Sequence, residues 1–245
     1  MIDVISLIKY ILTGIYYLFS FITMFDKMNY LSNTESINTV LSIYESKNEI
    51  IKSQINENIL VFKGKEIKAS LILYPGANID FTAYEPLMAA CAEKGIMGFL
   101  FKMPLNFALL NIDAAQEIKN KFPEIKNWYI GGHSLGGVAS GMYASKHIEE
   151  FNGLILLGSY IVNNFSKTNL KALSIYGSED KVMHMNLYNM FKNFLPSDFN
   201  KVIIEGGYHS YFGMYGDQEG DGNPTITNIE QIRITAKEIA KFIEE

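Results

Sequence analysis

The stretch Trp128-Tyr129-Ile130-Gly131-Gly132-His133-Ser134-Leu135-Gly136-Gly137 holds the residues best suited to covalent chemistry. A serine hydroxyl attacks a carbonyl carbon only when it stands on a tight turn beside a base, and the base needs an acid to orient it. Here an apolar run leads into Gly-x-Ser-x-Gly and then into a helix-forming run from Val138, the strand–turn–helix context of a nucleophile elbow. Glycines at 132 and 136 remove side chains that would collide as the chain reverses. The helix N-terminus behind Ser134 favours developing negative charge.

Partners for Ser134 follow later in the chain in the order acid, then histidine, which is the order elbow serines require. Asp180 lies in Gly177-Ser178-Glu179-Asp180-Lys181-Val182, directly after an apolar run, with Glu179 as its competitor. His209 follows Val202-Ile203-Ile204-Glu205-Gly206-Gly207-Tyr208 and is the one histidine after both a strand and the acid. His133 belongs to the turn itself and points away from the serine's task, while His147 and His184 fall on or at the start of helices. An oxyanion needs two backbone N–H donors. Leu135, next after the serine, supplies one, and Ala77 in Pro75-Gly76-Ala77-Asn78 is the candidate for the other. The chemistry implied is acyl transfer to water, with esters as default substrates and amides or thioesters open. Tyr160, Tyr208, Tyr211 and Phe212, near these loops, suggest an apolar acyl pocket. An acyltransferase or peptidase with the same triad, or a non-catalytic binding protein on the same fold, stays open beside it.

Elements that could position these residues can be read from hydrophobic periodicity. The runs Ile59–Phe62, Ala69–Tyr74, Gly98–Phe101, Trp128–Ile130, Gly153–Leu157, Leu173–Tyr176 and Val202–Ile204 predict strands. Helices are predicted at about 80–94, 107–121, 135–149, 184–195 and 227–243. That alternation predicts an α/β chain with a mostly parallel central sheet and helices on both faces. The short gap between Gly158 and the strand starting near 171 leaves no room for an inserted cap, so the site should be open above the sheet.

Residues 58–245 are thus expected to form the catalytic domain, preceded by a connecting segment over 26–57 with one or two short helices. Ile5 to Phe25 is interrupted only by Lys9. At helical rise it would span roughly 32 Å, enough for a hydrocarbon core, so residues 1–25 are expected to anchor the chain in a membrane. Lys9 and Lys27 are offset by Asp3 and Asp26, and the free amino terminus tips the balance towards an extracytoplasmic domain, with a cytoplasmic one as alternative.

Composition narrows the field further. Of 245 residues 48% are hydrophobic and 19% charged, with a net charge of −5 and no basic patch, which argues against nucleic acid as a partner. Cys91 sits alone in a small-residue helical run, so there is no internal disulfide and a buried thiol is expected. The four histidines have neither HExxH nor Cys/His spacing, so no metal is expected, and no motif calls for a cofactor. The acidic, glycine-rich stretch 211–223 (Asp217, Glu219, Asp221) lacks EF-hand spacing and is expected to fold over His209.

The segments Tyr-Pro-Gly-Ala-Asn-Ile-Asp (74–80), Lys-Met-Pro-Leu-Asn (102–106), GGHSLGG (131–137) and YHSYFGMYGDQEGDG (208–222) together resemble a family of bacterial α/β hydrolases. These are distant relatives of the dienelactone hydrolases, often with an N-terminal membrane segment. The resemblance covers about residues 60–243 and implies an α/β-hydrolase fold with the triad Ser134, Asp180 and His209. The sequence departs from it at Ala77, where relatives carry a second glycine, and at Tyr208-His209-Ser210, where they carry Asn-His-Ala.

Overall fold

Each apolar run named above becomes a strand in the computed structural model, which describes residues 33–48 and 50–245. In chain order the elements are α1 (Thr34–Asn48), β1 (Ile51–Asn56), β2 (Ile59–Lys63), β3 (Ala69–Tyr74), α2 (Glu85–Glu93), β4 (Ile96–Phe101) and α3 (Ala114–Lys121). They continue as β5 (Trp128–His133), α4 (Leu135–Ala144), β6 (Gly153–Leu157), β7 (Lys171–Gly177), α5 (Met185–Phe191), β8 (Phe199–Ile204) and α6 (Asn228–Glu244). One 8-stranded sheet runs in the order β1-β2-β4-β3-β5-β6-β7-β8. β1, β2 and β4 pair antiparallel and the remaining neighbours parallel.

The central strands β3 to β6 are buried along their whole length, as a sheet covered on both faces requires. On one face Ala115 and Ile118 of α3 and Ala139, Tyr143 and Ala144 of α4 pack over Ile72, Phe99 and Ile130. On the other face α1 packs on α2 and α2 on α6. Phe242 of α6 meets Tyr129, the neighbour of Ile130, edge-on at 5.9 Å. A Cβ on Gly153 would come within 2.9 Å of both rings, so the glycine lets α6 sit close to the sheet.

Within the expected connecting segment, the described residues 33–48 and 50–57 do more than connect. Ile37, Val40, Leu41 and Tyr44 bury one stripe of α1, and β1 adds an edge strand to β2. That strand is exposed or half-buried throughout, so it lacks the apolar alternation by which a strand is recognised. Segments expected as single helices at 80–94, 107–121, 135–149 and 184–195 each divide into an α-helix and a 3-10 turn. No helix or strand interrupts residues 158–170, so no cap is inserted. Among the described residues no helix is long and apolar enough to cross a membrane; the expected anchor at 1–25 lies outside them.

Strand registers bring the functional residues to one edge. Tyr74 lies opposite Gly132, His133 opposite Leu157, and Gly177 opposite Ile204. The loops after β3, β5, β6, β7 and β8 therefore emerge side by side at the carboxyl ends of the strands, where open α/β sheets place their ligand sites. Because Phe242 ties α6 to the sheet away from this edge, Phe242→Ala should cost about 3–5 kcal/mol. Chemical denaturation would check this.

Candidate active site

Ser134 links β5 to α4 with φ 51° and ψ −124°, a conformation that costs a non-glycine residue about 1–3 kcal/mol. Its surroundings hold it there. The Ser134 N–H donates to the Leu157 carbonyl at 2.9 Å, and its carbonyl accepts from the Ser159 hydroxyl at 2.6 Å. A Cβ on Gly132 would lie 2.3 Å from the Gly136 main chain, and one on Gly136 2.3 Å from the carbonyls of Tyr74 and Pro75. Only glycine lets the elbow close and lets α4 begin against the loop after β3.

Asp180 and His209 meet at the same edge. Asp180 Oδ2 lies 2.8 Å from His209 Nδ1, both side chains 1% exposed. The other carboxylate oxygen, Oδ1, accepts from the Val182 and Met183 N–H groups at 3.0 and 2.8 Å. The Glu179 carboxylate instead meets the Ser178 hydroxyl at 3.5 Å. Gly158, with φ +51°, passes directly beneath the pair; a Cβ there would lie 3.0 Å from His209 Nδ1 and 3.1 Å from Asp180 Oδ2. Since Leu157 and Ser159, its neighbours, hold the Ser134 main chain, one short turn links all three residues. His209 Nε2 is buried and pairs with no group among the described residues, so the bond to Ser134 Oγ is not made in this state. Such bonds commonly tighten only when substrate binds.

The histidine loop is clamped by side chains that sequence reasoning did not assign. Asp221 Oδ2 accepts from the His209 and Ser210 N–H groups at 2.8 and 3.2 Å. Its Oδ1 accepts from Lys181 N–H at 3.0 Å, so one carboxylate ties the loop of Asp180 to that of His209. Gln231 of α6 holds Tyr208 on both sides, accepting from its N–H at 2.8 Å and donating to its carbonyl at 2.7 Å. The stretch 211–223 thus folds around His209. Only the acidity of Asp221 hinted at this role; Gln231 gave no signal, being one polar residue on an amphipathic helix.

The oxyanion candidates sit on either side of the elbow. Leu135 opens α4, where the N–H has no intrahelical acceptor. Ala77 lies between two tethered neighbours. The Gly76 N–H donates to Tyr84 Oη at 3.0 Å, and the Asn78 N–H to the Asn106 carbonyl at 2.9 Å, with Asn78 left-handed at φ 60°. Ser134, Leu135 and Ala77 are all half-buried. His147 pairs with Glu150 at 2.8 Å, and His184 is exposed at the start of α5. Cys91 is fully buried in α2, and burial pushes its thiol up to about 12, which leaves it a poor nucleophile. Among the described residues no cluster of His, Cys, Asp or Glu could hold a metal.

A strained serine between β5 and α4, with a buried carboxylate–imidazole pair on the loops after β7 and β8, defines a class of α/β proteins by its layout. Residues 70–233 match the model of the alpha/beta hydrolase family, and the chain belongs to this family of hydrolases. Solved structures agree on the fold. A predicted CIB-like hydrolase from Thermoplasma acidophilum is 18% identical with a TM-score of 0.55, over 78% of this chain and 98% of that one. Est1E from Butyrivibrio proteoclasticus, with ferulic acid bound, is 12% identical with a TM-score of 0.58, over 80% and 100%. A monoacylglycerol lipase from Paleococcus ferrophilus is 11% identical with a TM-score of 0.56, over 79% and 99%. No curated protein matches the sequence significantly.

The closeness of Gly158 to the pair makes it a sensitive position. Gly158→Ala should lower hydrolase turnover at least about tenfold, from a shifted imidazole and about 1–2 kcal/mol of left-handed strain. Gly216→Ala, at φ +86° with nothing within 4 Å of the new methyl, carries the strain alone and should leave turnover within about twofold. Steady-state kinetics on the two folded variants would check the contrast.

Proposed function

We propose that the chain is a serine hydrolase that cleaves a carboxylic ester through an acyl-enzyme on Ser134. The observation that carries this reading is the buried 2.8 Å contact of Asp180 with His209, reached by the turn that also holds Ser134. In this mechanism His209 Nε2 takes the Ser134 proton as Oγ attacks the ester carbonyl. Asp180 keeps the other ring nitrogen protonated and stabilises the imidazolium. The N–H groups of Ala77 and Leu135 receive the oxyanion, and His209 returns the proton to the departing alcohol. Water, deprotonated by the same imidazole, then releases the acyl group. A small acyl substrate fits the half-buried Ser134 and the lack of a cap. The motifs at 74–80, 102–106, 131–137 and 208–222 support a place nearer the dienelactone hydrolases within the family.

A fluorophosphonate probe should label wild type and leave Ser134→Ala unlabelled, with turnover of p-nitrophenyl esters reduced about 10³-fold or more. Asp180→Asn should cost roughly 10²–10⁴ by favouring the wrong imidazole tautomer, and Glu179→Gln less than about tenfold. Labelling that survives in Ser134→Ala, or the reverse ranking of the two acids, would sink the assignment.

For the N-terminus the same reading adds a single membrane anchor, supported by the length and apolarity of Ile5–Phe25. Full-length protein should sediment with membranes, whereas a chain starting near Lys27 should stay in the supernatant and keep its ester hydrolysis. Full-length protein in the supernatant after high-speed centrifugation would remove the anchor.

A further inference from the structure

His133, set aside on sequence grounds, is fully buried, and its ring centroid lies 4.5 Å from that of His209. Its Nδ1 lies 2.7 Å from the hydroxyl of Tyr84, itself fully buried at the end of the 3-10 turn Phe81–Tyr84. That hydroxyl also accepts the Gly76 N–H at 3.0 Å. A Cβ on Gly76 would come within 3.0 Å of both His133 Nδ1 and Tyr84 Oη, so the loop rests directly on the pair. Three groups therefore form one chain, from the main chain beside Ala77 to the ring that packs on His209.

We propose that Tyr84 and His133 are positioning residues that couple the oxyanion-side loop to the catalytic imidazole. The proposal rests on the reading of Ser134 and His209 given above. Its logic is one of hydrogen count. Tyr84 Oη accepts from Gly76 and has one hydrogen of its own to give, and His133 Nδ1, at 2.7 Å, is the group placed to accept it. With the phenol hydrogen on that bond, His133 carries its own proton on Nε2 and is neutral.

Burial drives the His133 pKa well below the ordinary imidazole value; the His209 ring adds to that and the His209 main chain opposes it. Burial likewise pushes the Tyr84 phenol far up, so it remains a donor. The other titratable groups facing this ring are His209, with Asp180 on its far nitrogen, and Tyr215 at 6.3 Å between centroids. Phe212 closes the remaining side at 5.4 Å.

Two consequences follow for catalysis. A neutral ring beside His209 adds no like charge when the imidazolium forms, and with its Nδ1 lone pair taken by Tyr84 it offers no second base to compete for the serine proton. The ring is also a fixed surface against which His209 can be oriented, with Asp180 holding one edge. On the other side, the Gly76 bond fixes the Pro75–Gly76 peptide, the unit next to the one that carries the Ala77 N–H. Tyr84 thus aligns both halves of the site with a single hydroxyl.

Tyr84→Phe removes the hydroxyl and keeps the ring. If the chain acts as inferred, kcat and kcat/KM should fall together by about tenfold with KM within about twofold, the pattern of an interaction expressed in the transition state. Thermal melting would confirm that the variant is folded. Nitrogen-15 NMR of histidine-labelled wild type supplies a readout independent of turnover. His133 should be the neutral Nε2–H tautomer across about pH 5–8, the range in which histidine ordinarily titrates. In Tyr84→Phe the Nδ1–H signal of His209 should shift as its ring loses support. His133 found protonated on Nδ1 or titrating in that range, an unmoved His209 signal, or kcat within about twofold of wild type would overturn the proposal. Should Tyr84→Phe fail to fold, the wild-type tautomer alone decides. Should wild type neither take the phosphonate nor cleave esters, the esterase reading falls, and the two NMR readouts still decide whether the chain couples the rings.

Discussion

The close approach of main chain to main chain around Ser134 is the constraint from which the rest of the active end follows. β5 must turn into α4 within one residue, and Ser134 absorbs that turn at φ 51°. Nothing local favours such a geometry, so it must be over-determined from outside. Parallel pairing of β5 with β6 supplies one support, because it delivers the Leu157 carbonyl to the Ser134 N–H. Gly136 against the Tyr74 and Pro75 carbonyls supplies another, and it places the loop after β3 against the first turn of α4. The elbow and the oxyanion-side loop are therefore one packing unit, and neither could be built without the sheet order that makes β3 the neighbour of β5.

Beyond the elbow, the loops carrying Asp180 and His209 are held by main-chain bonds that prolong the sheet and by individual side chains. The register of β7 and β8 ends at Gly177 and Ile204; past it the Ser178 N–H donates to the Ile204 carbonyl and the Glu179 N–H to the Gly207 carbonyl, both at 2.9 Å, and side chains add the rest. Asp221 receives donors from both loops and Gln231 grips Tyr208 from α6. Ser178 adds a third link by accepting the Gly206 N–H at 2.9 Å. A carboxylate that accepts only main-chain donors, as Asp221 does towards His209, Ser210, Lys181 and Gly222, acts as a brace and need not take part in proton transfer.

What was legible in the sequence follows from this division. Buried strands announce themselves through apolar runs, because a parallel sheet covered on both faces tolerates little else; all seven such runs formed strands. Ser134, Asp180 and His209 could be picked out because each chemical type had to occur just after a strand and in a fixed order. β1 escaped notice because an exposed edge strand carries no pattern. Tyr84, Gln231, Gly158 and Ser159 escaped because their roles are set by partners distant in sequence, and a lone Tyr, Gln, Gly or Ser has many ordinary uses. The contact of His133 with His209 is hidden for a related reason: the sequence places His133 at the end of β5, but which ring lies against it depends on where the loop after β8 returns.

Sheet and clamps also divide stability from function. Apolar burial on both faces of the sheet is extensive and makes up most of what folding gains. Each clamp, by contrast, is one or two hydrogen bonds, worth about 0.5–1.5 kcal/mol apiece in net stability. Such bonds barely register against the core, yet under the proposed mechanism a shift of about 1 Å in the imidazole costs turnover steeply. The residues that decide whether this fold catalyses anything are therefore those with the smallest share in holding it together. The same polar side chains could change while the hydrophobic pattern and the family resemblance stayed intact, so an architecture shared at 11–18% identity follows from the core, and the loops after β3, β6, β7 and β8 are free to vary on it.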